Sequence, residues 1–330
     1  MTPIAPHITA FIRERLPIQR AASTHTCDAY SYAFQLLFEY ASDRLRVTPS
    51  GLHLEQLDAQ LVLDFLDHLE SVRHNSPNTR NARLAAIKSF FRFVEYRVPS
   101  VLEQSRRILA IPSKRADSKL VRHLTMDEMQ AILEAPNVTT RAGLRDRAML
   151  HLAFAAGLRA SELVGLRQSE MSLHPQPAVR ILGKGRRERC LPLWKQTAED
   201  IRGWLEVRVS KPGVDEVFVN TRGWPMSRSG FAYVLDKHVM VASANCSSLH
   251  DKRISPHVLR HTCALTVLRA TGDLRKVSLW LGHTDMQTTQ VYLRVDPTEK
   301  LDTIASIVPP ELRPGSFRPP DRLIAMLQGR

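Results

Sequence analysis

One short pair of strand-like segments lies in a chain whose other patterned segments have helical spacing. Residues 179–182 and 188–191 are strand-like, and Gly183-Lys184-Gly185 between them suits a tight turn. Because no other clear strands accompany this hairpin, the sheet must be small and helices must form most of the core. The sequence therefore predicts a mainly α fold with a small β-sheet.

The first 111 residues predict a helical domain. Apolar side chains recur at helical spacing between residues 23 and 41, and Asp58 suits the N-cap of a second helix. A third helix begins with Ser76 as N-cap and Pro77 at the first helical position, where the missing N–H of proline costs nothing. Basic residues flank the apolar stripe of this third helix.

Composition shifts divide the rest of the chain. Residues 112–119 are charged and poor in apolar side chains, which predicts a linker. Thr125 begins a capping box, so we expect a second, mixed α/β domain over residues 120–308. A pair of prolines then begins a C-terminal tail, residues 309–330, in which residues 321–327 predict a short helix.

The charge of the chain favours a polyanionic partner. Its 330 residues hold 46 Lys and Arg against 33 Asp and Glu, a formal net charge of +13. The excess is unevenly placed: residues 1–70 hold 5 basic and 9 acidic side chains, whereas residues 71–115 hold 10 basic and 2 acidic ones. Such a switch is typical of a face turned towards phosphates.

Other classes are disfavoured by simple features. The four cysteines are scattered without paired spacing, which argues against a zinc site or a disulfide framework. The first residues lack signal-peptide features, and no run approaches the roughly 18 apolar residues that span a bilayer. We expect a cytoplasmic, nucleoid-associated protein with no membrane partner, no metal and no other cofactor.

Two basic residues of the second domain lie at unusual backbone positions. Arg159 follows Gly157, a predicted helix C-cap, so the N–H groups of the next helix lie near its planar fork. A single arginine is most often only solvated on the surface. Lys184 lies at the hairpin turn, where a lysine is also usually solvated.

Four further candidates follow at short spacings. His257 and Arg260 stand at i and i+3 on one predicted helix face, and His283 follows a glycine nine residues before Tyr292. Taken singly, such a histidine or tyrosine is more often a core residue. Together with the two upstream residues, they form a set that can bind, attack and protonate a phosphodiester.

These phrases closely resemble the tyrosine recombinases of the phage integrase family, in particular the Xer-like site-specific recombinases and integrases. The resemblance rests on residues 157–163, 183–193, 256–261 and 281–292, and extends more weakly upstream to residue 23. It implies a helical core-binding domain followed by the catalytic domain. The implied catalytic set is Arg159, Lys184, His257, Arg260, His283 and Tyr292, with Glu162 in support.

The resemblance implies a role for each residue. Arg159 and Arg260 would neutralise the scissile phosphate while Tyr292 attacks it, and Lys184 would protonate the departing 5′ oxygen. His257 would hydrogen-bond or relay a proton. We interpret His261 as structural, because it lies one residue away from the helix face shared by His257 and Arg260.

The third helix of the first domain resembles the DNA-facing helix of recombinase core-binding domains. A solvated basic flank is the usual meaning of such a pattern. The resemblance instead favours contacts with the DNA backbone. The DNA-binding candidates are Thr79, Arg80, Arg83 and Lys88.

The expected function is site-specific cutting and rejoining of double-stranded DNA through a 3′-phosphotyrosyl intermediate, without ATP or metal. The chain has no phosphate-binding GxxxxGK motif and no compact acidic cluster. We expect a homo-tetramer, or a hetero-tetramer with sister recombinases, on DNA recombination sites, in which the tail docks on a neighbouring protomer. The alternatives are a DNA-binding accessory recombinase of a mobile element and a type IB topoisomerase-like activity. Residues 241–250 match nothing in the family pattern and are interpreted as a longer loop.

Overall fold

The computed structural model describes residues 1–116, 121–183, 188–282, 289 and 292. The chain divides into two compact units, Met1–Ser118 and Lys119–Arg330. Within the described residues, no helix is both long and apolar enough to cross a membrane.

The first unit is helical. Its helices are α1 (Ile4–Ala10), which continues as a π-helical segment (Phe11–Gln19), then α2 (Thr24–Leu45), α3 (Ala59–Ser71), α4 (Pro77–Val94) and α5 (Leu102–Ala110). Asp58 and Ser76 accept a hydrogen bond from the backbone N–H three residues on, so the two predicted caps are confirmed, and Ser23 caps α2 in the same way. The sequence pattern did not predict a helix before residue 23.

Aromatic packing holds α2 and α4 against the first helical segment. The rings of Phe11, Phe34 and Phe90 are fully buried and meet edge to face, with centroids 5.3 to 6.0 Å apart. The stripe that faces this core on α4 fixes the rotation of the helix, and therefore which of its basic side chains reach the surface.

The predicted linker begins as a packed segment. The Asn81 amide donates to the Lys114 carbonyl at 2.8 Å, and its oxygen accepts from the Lys114 N–H at 3.0 Å. The Lys114 ammonium also pairs with Glu70 at 2.6 Å. The chain is therefore attached to the first unit as far as residue 114, while residues 117–120 lie outside the described residues.

The second unit combines helices with the predicted hairpin. Its elements are α6 (Met126–Glu134), α7 (Arg141–Ala155), α8 (Ala160–Val164), β1 (Met171–Ser172), β2 (Ala178–Leu182), β3 (Glu188–Pro192), α9 (Lys195–Val207), α10 (Arg228–Ser243), α11 (Pro256–Thr271) and α12 (Leu274–Leu281). The capping box between Thr125 and Glu128 is present at the start of α6, as predicted.

The sheet is antiparallel, with strand order β1-β2-β3. Ile181 pairs with Arg189 and Leu182 pairs with Glu188, which confirms the hairpin. Val179, Ile181 and Leu191 are buried and place one face of the sheet on the core. The expected fold class, mainly α with a small β-sheet, is confirmed, and β1 is an addition that the sequence pattern did not predict.

Residues 241–250 are more regular than the expected loop. Residues 241–243 form the last turn of α10, and Ser247–Leu249 form a 3₁₀ turn with Leu249 in the core. The Ser248 hydroxyl donates to Glu128 at 2.6 Å. The polar sequence thus reflects a helix end and a turn that is anchored to α6.

Candidate active site

Arg159 and Glu162 form the first turn of α8. Gly157 ends α7 with a φ of +57°, and Arg159 then occupies the extended N-cap position. The Glu162 carboxylate accepts from the Arg159 backbone N–H at 3.0 Å and from its guanidinium Nη1 at 2.8 Å. The Arg159 side chain remains 34% exposed, so it can meet a phosphate while one edge of its guanidinium is held.

Arg260 lies deeper in the same site. It is 4% exposed, and its guanidinium donates to the carbonyls of Gly157 and Leu281, the latter at 2.7 Å. Its Nη1 also lies 3.8 Å from Glu162 Oε2. Burial, together with the charge of Arg159, lowers the pKa of Arg260 to about 10, so it remains a cation at neutral pH.

Glu162 lies at the centre of the cationic cluster. Arg189 on β3 donates to both carboxylate oxygens, at 3.3 Å and 2.8 Å, in addition to the contacts of Arg159 and Arg260. Burial would raise the pKa of Glu162, but the hydrogen bonds from Arg189 and Arg159 and their charges outweigh it and hold this pKa below its usual range. One carboxylate thus hydrogen-bonds two guanidinium groups and lies within ion-pair distance of a third, which is consistent with the supporting role expected for Glu162.

Tyr292 is almost fully enclosed. It is 1% exposed, and its hydroxyl lies 2.9 Å from Nδ1 of His261. Burial raises the pKa of Tyr292 to about 12, and burial together with the charges of His257 and Arg260 lowers the pKa of His261 to about 4. At neutral pH a neutral phenol therefore meets a neutral imidazole, which can accept its hydrogen bond. His261 therefore has a hydrogen-bonding partner in the site, and its interpretation as structural stays a prediction.

The remaining predicted residues divide into two groups. His257 lies on α11, one turn before Arg260, and is exposed. Lys184 and His283 lie outside the described residues. Gly183 and Glu188 are the described residues on either side of the lysine segment, and Gly282, with a φ of +64°, directly precedes His283 and has the predicted C-cap conformation.

Two family comparisons cover most of the chain. Residues 122–299 match the phage integrase family, and residues 8–97 match the phage integrase N-terminal SAM-like domain. The chain belongs to the phage integrase family of tyrosine recombinases. It is therefore an enzyme of DNA strand transfer in site-specific recombination.

Individual relatives agree with this assignment. The recombinase is 42% identical to a putative integrase/recombinase, y4rC, of Sinorhizobium fredii, over 98% of this chain and 97% of that protein. It is 33% identical to tyrosine recombinase XerC of Pelobacter propionicus, over 89% of this chain and 92% of that protein.

Solved structures show the same fold. XerH site-specific recombinase, bound to a palindromic difH substrate in a post-cleavage complex, is similar with a TM-score of 0.67 and 22% identity, over 87% of this chain and 81% of that one. The Tn1549 transposon integrase in complex with a circular intermediate DNA has a TM-score of 0.67 and 14% identity, over 88% and 95% of the two chains.

The basic side chains of α4 in this recombinase have unequal surroundings. Thr79 lies in the first turn, and Arg83 is half-buried, donating to the Ala29 carbonyl at 3.0 Å with its guanidinium 4.8 Å from the Tyr32 ring centre. Lys88 is half-buried, and burial, together with the charges of Arg92 and Arg80, lowers its pKa. Lys88 therefore lies close enough to other cations of α4 for their charges to act on it.

Arg80 differs from the other three DNA-binding candidates. It is 4% exposed, its Nη1 donates to the Pro112 carbonyl at 3.1 Å, and its Nε lies 3.9 Å from Glu70. A guanidinium in this position cannot reach a DNA backbone without leaving its partners. We therefore assign Arg80 to the attachment of residues 112–114 and keep Thr79, Arg83 and Lys88 as the DNA-contact candidates.

Among the described residues, no three His, Cys, Asp or Glu side chains are grouped so that they could hold a metal ion.

Proposed function

We propose that this recombinase cuts and rejoins DNA at specific sites through a 3′-phosphotyrosyl intermediate, with no requirement for ATP or metal. The observation that carries the proposal is the convergence of groups on α11. Arg260 shares the Glu162 carboxylate with Arg159, and the next residue, His261, contacts the hydroxyl of Tyr292. This arrangement supports a phosphate-binding role for the two arginines beside a nucleophilic role for Tyr292.

In the proposed cleavage step, Arg159 and Arg260 bind the non-bridging oxygens of the scissile phosphate. The Tyr292 oxygen forms a bond to phosphorus while the bond from phosphorus to the 5′ oxygen breaks. Lys184 transfers a proton to the departing 5′ oxygen, and the phenolic proton leaves through a relay that includes His257. The 3′ phosphoryl group stays on Tyr292, and a 5′ hydroxyl of a partner strand reverses the step.

The electrostatics of the site support this assignment. A phenol whose pKa is raised to about 12 is protonated at neutral pH, so its proton must leave as the new bond forms. Negative charge then develops on the phosphoryl oxygens. Two guanidinium groups can stabilise that charge without reorganising, because Glu162 already holds Arg159 and the Gly157 and Leu281 carbonyls already hold Arg260.

The proposed partners are double-stranded recombination sites, on which the recombinase assembles as a homo- or hetero-tetramer, and the proposed location is the cytoplasm. Relatives that include integrases, XerC and a structural neighbour from a transposon support integration or transposition of a mobile element as the setting.

Thr79, Arg83 and Lys88 would contact the DNA backbone, and the C-terminal tail, which lies outside the described residues, would dock on a neighbouring protomer.

The test uses a nicked suicide substrate that loses its short 5′ fragment after cleavage. We expect the wild-type protein to form a covalent protein–DNA adduct and Tyr292→Phe to bind the same DNA without forming one, because only the nucleophilic oxygen is removed. Tyr233, which is 70% exposed on α10, provides a matched control, and Tyr233→Phe should form the adduct at the wild-type rate.

Three outcomes would overturn the proposal. An adduct in Tyr292→Phe would place the nucleophile elsewhere. Site-specific binding by the wild-type protein without any adduct, even with sister recombinases present, would favour the accessory role. Relaxation of supercoiled DNA that lacks a recombination site would instead favour the topoisomerase-like alternative.

A further inference from the structure

Arg189 lies where three parts of the active site meet. It is the second residue of β3, and its guanidinium donates to both oxygens of Glu162 in α8, at 3.3 Å and 2.8 Å. Its Nη1 also packs against the end of α12, since a Cβ added at Gly282 would lie 2.9 Å from it. The side chain of Arg189 is 9% exposed. The Arg189 guanidinium therefore links three elements: it extends from β3, binds Glu162 in α8 and packs against Gly282 at the end of α12.

Arg189 lies close in sequence to the segment of the hairpin that contains Lys184. Arg189 pairs with Ile181, and Leu182 and Glu188 form the last described pair before the turn. Lys184 follows the end of β2 by two residues. The Glu162 carboxylate thus binds β3 at its second residue, on the strand that immediately follows the segment containing the lysine.

The ion pair between Arg189 and Glu162 restricts the relative position of the two side chains. A guanidinium that donates two bonds to one carboxylate constrains both distance and angle, whereas an ammonium constrains only distance. Both side chains are nearly enclosed, so solvent screens the attraction only weakly. The same carboxylate binds Arg159, which makes the position of the hairpin dependent on the position of the phosphate-binding arginine.

We propose that Arg189 is a positioning residue for the general acid. It holds the Lys184 hairpin against Glu162, so that the lysine reaches the 5′ oxygen of the same phosphate that Arg159 and Arg260 bind. The inference rests on the proposed function, in which Lys184 protonates the leaving group.

The test compares cleavage of two suicide substrates, one with the ordinary 5′ oxygen and one with a 5′-bridging sulfur, which leaves as a thiolate without a proton. We expect Arg189→Ala to slow cleavage of the oxygen substrate by about 10²-fold, within the roughly 10²–10⁴-fold that general acid catalysis supplies. The sulfur substrate should largely restore the rate. Arg189→Lys should be intermediate on oxygen, because it keeps the charge but loses the two-pronged contact.

Controls separate positioning from loss of structure. Arg180→Ala removes an exposed arginine from the neighbouring strand and should leave both rates unchanged. Adding Arg189→Ala to Lys184→Ala should slow the oxygen substrate little beyond the lysine change alone, because both changes remove the same protonation. Circular dichroism and single-site DNA binding report whether each variant folds.

The proposal would be overturned by Arg189→Ala and Arg189→Lys variants that cleave the oxygen substrate at the wild-type rate. Folded variants that are equally slow on oxygen and sulfur would also overturn it, since the defect would then lie in phosphate binding. The proposed function fails separately, if Lys184→Ala itself is not rescued by sulfur. If the sulfur substrate rescues Lys184→Ala but not Arg189→Ala, the proposed function stands and only the positioning role of Arg189 is contradicted.

Discussion

The basic side chains of α4 are spread along one helix and meet different partners, whereas three arginines of the second unit converge on one carboxylate. Arg83 binds a backbone carbonyl and lies near a tyrosine ring, and Lys88 lies near other cations. Arg159, Arg189 and Arg260 all meet Glu162. Charges that share one partner are coupled through it, so that a change at one of them alters the others. The first arrangement suits affinity for any DNA, and the second suits a single reacting phosphate.

Arg80 and Arg260 sharpen this difference. Both are 4% exposed, and both donate to backbone carbonyls. Arg80 fastens residues of its own unit, with one carboxylate at 3.9 Å, whereas Arg260 lies beside the contact between His261 and Tyr292. Burial alone therefore does not identify a catalytic arginine, and the neighbouring groups decide its role.

The largest expected effect follows from removing the buried member of the converging set. Arg260→Ala should reduce adduct formation by roughly 10²–10³-fold, because the developing phosphoryl charge loses a fixed donor. The Gly157 and Leu281 carbonyls also lose their donor, at a cost of about 1–3 kcal/mol in the free energy of unfolding. Single-turnover cleavage and urea unfolding measure the two losses. A variant that cleaves at the wild-type rate would show that the converging arginines are structural.

The next effect concerns Glu162. Its folded-state pKa is lower than the ordinary value of 4.5, so its contribution to stability is fully present above pH 4.5 and is lost as the pH falls through the folded value. Glu162→Gln should lower the free energy of unfolding by about 3 kcal/mol at pH 7. The difference in the free energy of unfolding between the wild type and Glu162→Gln should become smaller below pH 4.5, as measured by urea unfolding between pH 7 and pH 3. His261 titrates in both proteins and cancels in the difference, and a gap that stays constant with pH would contradict the carboxylate role.

The smallest effect is expected on α4. Arg83→Gln should weaken binding to all DNA sequences and reduce the salt dependence of binding by about one counterion, as for one lost backbone contact. Arg80→Gln, the matched change at the buried position, should leave that salt dependence unchanged but lower the free energy of unfolding by about 1–3 kcal/mol. Salt titrations of DNA binding distinguish the two. Equal changes of salt dependence in both variants would contradict the assignment of Arg83 to DNA contact and of Arg80 to a structural role.

Features that depend on neighbouring residues could be predicted from the sequence. The caps at Ser23, Asp58, Ser76 and Thr125 are local hydrogen bonds, and the structure contains all four. The hairpin and the left-handed conformation of Gly157 and Gly282 are also local consequences of residue type. These features give the fold class and the frame of the site.

Contacts between distant residues could not be predicted in this way. Arg189 meets Glu162 across 27 residues, and His261 meets Tyr292 across 31, so neither pair leaves a periodic signal in the sequence. Arg80 is a different case. It precedes Leu84 by four residues and therefore lies on the apolar stripe of α4, and that spacing already indicated a buried position.

Gly157 offers no side-chain functional group, yet its lack of a side chain lets α11 and the end of α12 pack closely against it. A methyl group at this position would lie 2.7 Å from a side-chain carbon of Leu281 and 3.0 Å from the sulfur of Cys263, while the carbonyl of the same residue accepts from Arg260. Arg159 follows it by two residues. The hydrogen bond that holds Arg260 two residues before Arg159, a residue 101 positions earlier in the chain, therefore depends on a hydrogen atom in place of a side chain at Gly157.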